Sequence, residues 1–275
     1  MSPGRPNVAT QHGAAPRATQ RGAIRTAVVW EALSALLGTG PLDVLDVGGG
    51  TGGFAVRVAE QGHRVTVVDP SPDALATLAR RSEESGVSDR ITALQGELAT
   101  VPELLGPDSV DVVLCHGVLE VVDDPAAAVA GITDVLRHGG ALSLLVGQRH
   151  AAVVARAMAG HFGQALALLT GTGTGSGTTS TAGSGTTSTA GSGTSTGDEG
   201  PHRFTADEVT ALLTGAGFDG ITLHAVRVFA DMVPGALVDL EPGAAEALAD
   251  LEHAVADRPE YLPLAAQLHA LARLG

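Results

Sequence analysis

The spacing of apolar residues changes period several times along the chain. Ile24, Val28, Val29, Leu33, Leu36 and Leu37 recur at three- and four-residue intervals, which predicts an amphipathic helix beginning near residue 19. Leu42, Val44, Leu45 and Val47 are instead bunched and partly β-branched, as in a strand buried on both faces. Similar short apolar runs predict strands over 64–68, 91–95, 110–114 and 141–146. Helices are expected between them. Ser71 and Asp124 are N-cap residues, each followed by proline at the first helical position, and Gly86 and Gly139-Gly140 mark stops. One further helix is expected over 150–169. Beyond residue 200, Thr205 and Glu208 form a capping box that opens a helix to about 214, and 220–229 alternates as a strand. An acidic helix over 244–256, a short helix and a last strand over 267–272 complete the pattern. Five strand–helix units followed by an antiparallel excursion predict an α/β fold, a doubly wound, seven-stranded, mostly parallel Rossmann-like sheet.

Two stretches fall outside this pattern. Residues 1–18 have no apolar periodicity and are expected to form a disordered tail. Residues 171–197 are only Gly, Ser, Thr and Ala, with the octad GTTSTAGS repeated in tandem from Gly177 and Gly185. Such a segment has no apolar surface to offset its ordering entropy and is expected to be a flexible loop over 171–200. The expected organisation is therefore a cofactor-binding core over 19–170, this loop, and a substrate-side part of the same fold over 201–275.

The chemistry concentrates in PLDVLDVGGGTGGFAVRVAEQGHRVTVVDP, residues 41–70, which reads as strand, glycine turn, helix and strand. Gly48, Gly49 and Gly50 allow a sharp turn and the close approach of a ligand. Asp69, at the carboxyl end of the second strand, stands where a ribose hydroxyl pair is gripped in open α/β sheets. Gly48, Gly50 and Gly53 fit the dinucleotide spacing GxGxxG, whereas Asp46, Gly48, Gly50 and Gly52 fit DxGxGxG, the pattern of methyltransferases that use S-adenosylmethionine. Asp46 separates the two readings. A nicotinamide site normally packs an apolar residue there, while an acid suits the cationic methionine end of the methyl donor. A glycine turn with no ligand is the plainest alternative.

Composition narrows the range of partners. The 16 basic residues are all arginine, and 30 acidic residues bring the formal charge to −14, so a polynucleotide partner has to overcome repulsion. The single cysteine, Cys115, excludes an intramolecular disulfide, fits a cytoplasmic location, and reads as a core residue rather than a nucleophile. No apolar run approaches the ~20 residues that span a bilayer, no signal peptide is evident, and no metal site is expected. His116, at the end of the fourth strand, reads equally as a core histidine or a cofactor contact. Arg25 by spacing alone reads as a solvated helix charge.

The motifs RGAIRTAVVW, LDVGGGTG, HGVLEVVDDP, LRHGGALSLL, AVRVF and LHALAR together resemble the bacterial tRNA 5-carboxymethoxyuridine carboxyl methyltransferases, within the class I methyltransferases. The resemblance implies S-adenosyl-L-methionine as cofactor, contacted by Arg25, Gly48, Gly49, Asp69 and His116. Glu97 and Leu98 fall where the family holds the adenine, and Asp46 and Gly50 complete the expected cofactor set. It also implies a tRNA wobble uridine carboxylate as acceptor. Such an anion needs no general base but does need a cation nearby; Arg149 and Arg227 are the candidates. The chain departs from the family where members carry a lysine-rich stretch, because the corresponding residues here are the Gly/Ser/Thr segment. A small-molecule carboxylate or other metabolite is the alternative acceptor. A nicotinamide-dependent oxidoreductase and a noncatalytic cofactor-binding protein are the other readings of the fold.

Overall fold

The computed structural model describes residues 17–170 and 201–275, without the side chains of residues 17–25, 235, 239 and 240. Residues 1–16 of the expected tail and the Gly/Ser/Thr segment lie outside the described residues, as does the side chain of Arg25, while Arg17 and Ala18, expected in the tail, belong to the first helix. Helix α1 (Arg17–Leu37) leads into β1 (Asp43–Val47), α2 (Ala55–Glu60), β2 (Arg64–Asp69), α3 (Pro72–Glu84) and β3 (Ile91–Gln95). Next come α4 (Val101–Leu105), β4 (Val110–His116), α5 (Pro125–Val135), β5 (Leu136–Gly147), α6 (Arg149–Met158) and α7 (Phe162–Thr170). After residue 200 follow α8 (Ala206–Gly215), β6 (Phe218–Val226), α9 (Gly235–Leu240), α10 (Ala244–Ala256) and β7 (Gln267–Leu274).

The seven strands form one sheet in the order β3-β2-β1-β4-β5-β7-β6. β1 to β5 are mutually parallel, and β7 runs antiparallel to both of its neighbours. The strand order reverses between β1 and β4, so a crevice opens at the carboxyl ends of these strands. Apolar side chains leave the sheet in alternate directions. Leu45, Val113, Leu144 and Leu268 pack with Val129, Ile132 and Leu213 of α5 and α8 on one face. Val44, Val67, Leu114 and Leu145 pack with Val29, Leu33, Val58 and Leu78 of α1, α2 and α3 on the other. With almost no large aromatics, the core is built from Ala, Val and Leu, as composition dictates.

The structure moves several expected boundaries. β5 starts at Leu136, which pairs with Val110; the register then shifts to Val112 opposite Ala141. Gly139 takes φ +74° inside this irregularity, so the glycine pair bends a strand rather than separating a helix from one. The single helix expected over 150–169 is two, α6 and α7, broken at Gly160 with φ +79°. β6 ends at Val226 and not at 229. Arg227 turns to φ +60°, and the buried Glu252 carboxylate takes the amides of Val228, Phe229 and Ala230 at 2.8, 2.9 and 2.7 Å. These amides therefore have no need of a strand partner.

Candidate cofactor cleft and its surroundings

β1 delivers the glycine turn to the switch point. The amide of Gly48 donates to the carbonyl of Val68 at 2.8 Å, tying the turn to the end of β2. Gly48 has φ +65°, and a Cβ there would lie 2.6 Å from Val118 Cγ2. A Cβ on Gly49 would lie 2.5 Å from Asp46 Oδ2. Packing at these two positions leaves no room for a side chain. We expect Gly49→Ala to displace either the turn or the Asp46 carboxylate, weakening binding of S-adenosylhomocysteine at least about tenfold in calorimetry. Unaltered affinity would show that the turn does not touch the ligand.

Asp69 ties the glycine turn to the loop after β2. Its Oδ2 accepts from the amide of Gly50 and its Oδ1 from the amide of Ser71, each at 2.9 Å. A carboxylate has about four lone-pair sites, so capacity remains for two further donors. Beyond Asp69, a cavity of about 590 Å³ is lined by Gly48, Val68, Pro70, Glu97, Leu98 and Val118, among others. Leu98 is buried, and the adjoining Glu97 is exposed. The Glu97 amide donates to the Thr100 hydroxyl, which in turn donates to the Glu97 carbonyl, fixing the turn on which Glu97 and Leu98 stand.

Asp46 is a buried acid beneath this turn, 3% exposed. Burial, with the Asp69 charge second, pushes its carboxyl up to about 7. The sign follows from linkage. Between about pH 4, where an ordinary Asp ionises, and about 7, the folded chain holds a proton that the unfolded chain releases. Asp46 therefore lowers stability as pH rises through that window, by up to about 1.4 kcal/mol per pH unit, and its effect levels off above it. Asp46→Asn is expected to flatten this slope in urea unfolding series; an identical slope in both proteins would contradict it.

The other expected residues distribute unevenly. His116 does not line the cavity. Its Nε2 is 2.9 Å from Ser143 Oγ, and its ring meets Phe54 edge-on at 4.8 Å between centroids. Ser143 Oγ is also 2.8 Å from Nε2 of His269, so a polar chain crosses three strands inside the core. Burial, then the neighbouring His116 and His224, hold His269 well below the ordinary histidine range. Burial likewise raises the Cys115 thiol, in keeping with its reading as a core residue. Arg25 falls within α1.

Arg149 is engaged by Glu208 at 2.7 Å and by the Arg203 carbonyl at 2.8 Å, joining α6 to the capping box of α8. Arg227 pairs with Asp231 and lines a second cavity, of about 650 Å³, at the carboxyl ends of β5 and β6. Arg156 and Arg203 line it too.

Two features of the site escape sequence reasoning. Val118, Val121 and Asp123, in the loop after β4, line the first cavity; they belong to the HGVLEVVDDP motif, but the sequence assigned no contact to them individually. Glu120, in the same loop, reaches across to the Gly147 amide at 2.7 Å, and burial raises its carboxyl. That bond links the loop of the first cavity to the end of β5, where the second begins.

Comparison with known proteins bears on the domain and its fold. Residues 45–144 match the model of a family described as a methyltransferase domain. The tRNA 5-carboxymethoxyuridine methyltransferase of Escherichia coli strain K12 is 36% identical over 147 residues, which are 52% of this chain and 56% of that protein. The chain thus spans about half the length of the curated relative it matches. Among solved structures, a methyltransferase from Thermotoga maritima, described as a possible histamine N-methyltransferase, superposes with a TM-score of 0.56 at 17% identity, covering 94% of each chain. The Burkholderia thailandensis 1,6-didemethyltoxoflavin N1-methyltransferase, solved with S-adenosylhomocysteine, gives 0.52 at 22% identity over 93% of this chain and 80% of that one. These two show the shared fold. Residues 45–144 are thus similar to a methyltransferase domain, and the sheet they help to build has the fold of these solved S-adenosylmethionine-dependent methyltransferases.

Proposed function

We propose that the protein transfers the methyl group of S-adenosylmethionine to a carboxylate acceptor. The observation that carries this reading is the Gly48–Gly50 turn, held to Asp69 through the Gly50 amide, with Gly48 lining the first cavity. The residues fit the cofactor. Asp69 has free lone pairs for the ribose hydroxyls, the backbone at Glu97 and Leu98 can receive the adenine, and the side-chain-free turn admits the methionine end. Asp46 then answers the positive charge of that end, with Arg25 as the remaining contact; His116 is kept outside the lining by its bond to Ser143. S-adenosylmethionine, when bound, supplies a methyl group already activated on a sulfonium, so the chain has to position rather than activate.

A carboxylate is anionic at neutral pH and attacks without losing a proton, which accords with a cleft that holds no evident base–nucleophile pair among the described residues. The E. coli relative supports a modified tRNA wobble uridine as the carrier of that carboxylate. The formal charge of −14 and the uncharged segment 171–197 favour a small acid instead. No described helix is long and apolar enough to cross a membrane. A cytoplasmic location goes with either acceptor.

Two measurements test the reading. S-adenosylhomocysteine should raise the melting temperature and NAD should not; the reverse would favour an oxidoreductase. Nucleoside mass spectrometry of tRNA from a deletion strain should show the free acid replacing a methyl ester if tRNA is the acceptor, and no change if it is not.

A further inference from the structure

The second cavity poses an electrostatic problem. Three guanidiniums, Arg156, Arg203 and Arg227, face one carboxylate, Asp231, which pairs with Arg227. Arg156 and Arg203 are both half-buried. Among the described residues neither has a carboxylate within ion-pair distance. The Arg156 guanidinium has one long contact, 3.5 Å to the carbonyl of Ala152. Arg203 lies against Gly147, where a Cβ would come within 3.2 Å of its Cδ, and its charge acts on Glu120 from beyond ion-pair distance.

This chain has 30 acidic residues to 16 arginines, so carboxylate partners are not scarce. Partly burying two arginines and leaving both without a carboxylate among the described residues carries some desolvation cost that an anion can offset. Among the described residues the Arg227 Nε, a buried donor, has no acceptor. Gln267 Oε1, on a residue of the lining, has no donor among the described residues either; a flip of its amide presents Nε2 as a donor instead.

The rest of the lining is apolar. Val154, Met158, Met232 and Leu264 stand around the cavity, each more than 40% exposed to it or to solvent. Apolar walls with a few convergent charged donors, in a space of about 650 Å³, are the make-up of a small-molecule site. Its position suits the acceptor. Gln267 pairs with Gly147 of β5 and with Val226 of β6, so the cavity opens on the same edge of the sheet as the glycine turn. The Glu120–Gly147 bond connects the two.

We propose that this cavity binds the methyl acceptor, and that the acceptor is a small carboxylic acid with an apolar body, its carboxylate received by Arg156 and Arg203. The inference rests on the methyltransferase reading above. In the reaction, one carboxylate oxygen forms the new bond to the methyl carbon as the carbon–sulfur bond breaks, and the electron pair stays on sulfur. An anion and a sulfonium become a neutral methyl ester and a neutral thioether, with no proton moved. The ester no longer matches the arginines, which favours its release.

The test is calorimetry on the full chain with octanoate and phenylacetate as probes, and their methyl esters as uncharged controls, with and without S-adenosylhomocysteine. Saturable binding of at least one acid, at least about tenfold weaker for its ester and in Arg203→Met and Arg156→Met, is expected from the loss of a charge-assisted hydrogen bond. S-adenosylhomocysteine affinity should stay unchanged in both variants. Several results would overturn the proposal: no acid binds, acid and ester bind equally, or neither arginine matters. It is also overturned if an anticodon stem-loop RNA, and neither acid, binds in an arginine-dependent manner. Failure of the unaltered protein to bind S-adenosylhomocysteine would instead sink the methyltransferase reading, and the acids would still decide what the cavity holds.

Discussion

Asp69→Ala is expected to weaken S-adenosylhomocysteine binding at least about 100-fold, or roughly 3 kcal/mol. The side chain has two jobs. It anchors the glycine turn through the Gly50 amide and the next loop through the Ser71 amide. In the bound state its remaining lone pairs are expected to meet the ribose hydroxyls. Hydrogen bonds to a charged group contribute about 1.5–3 kcal/mol each, and alanine removes every one of them. Asp69→Asn keeps one acceptor oxygen and should fall between the two. Removing the Asp69 charge also takes away the second cause that raises Asp46, leaving burial to hold that carboxyl up. Titration calorimetry, with circular dichroism confirming the fold, decides the matter. Affinity within about threefold of the unaltered protein would remove Asp69 from the cofactor site.

Glu252→Ala should destabilise the fold more than any substitution in the cofactor cleft, by about 3 kcal/mol or more. Glu252 is fully buried on α10, and its two oxygens satisfy three consecutive backbone amides just after β6. Alanine leaves those amides without acceptors inside the protein and opens a cavity beside them. Glu252→Gln retains one acceptor oxygen and the volume, so its cost should be smaller. Val228 lines the second cavity, so the same change should loosen the acceptor side while leaving the glycine turn in place. Urea unfolding measures the stability. A loss below about 1 kcal/mol would mean that this segment finds other partners.

Much of the fold was legible because local rules and tertiary demands agree. Ser71 caps α3 by accepting from the amide of Ala74, and Asp124 caps α5 by accepting from Ala126 and Ala127. Both helices start where cap and proline predict. α10 coincides with its expected range. Errors fall where a long-range partner overrides a local signal. The Gly139-Gly140 pair looks like a stop, but β4 supplies hydrogen-bond partners on both sides of it, and the strand continues through a bulge. The apparent continuation of β6 past Val226 is cut short by a carboxylate that lies 24 residues further on for Val228. No short window of sequence contains that fact.

For the site, the glycine spacing and the acid after β2 pointed to the crevice at the switch point, since the turn allows backbone approach and the strand end offers an acceptor. Glu97 and Leu98 came through the resemblance, and both line the crevice. The sequence could not assign the arginines. Arg149 and Arg227 look alike on paper, yet Arg149 is spent on Glu208 and the Arg203 carbonyl, while Arg227 lies in the second cavity. Arg156 and Arg203 acquire interest only because no described acid folds against them. What the sequence determined by itself is the parallel sheet and the crevice at its switch point, because period, caps and glycine spacing are local. Only the tertiary structure decided which charges remain unpaired, because pairing depends on which distant side chains the sheet brings together.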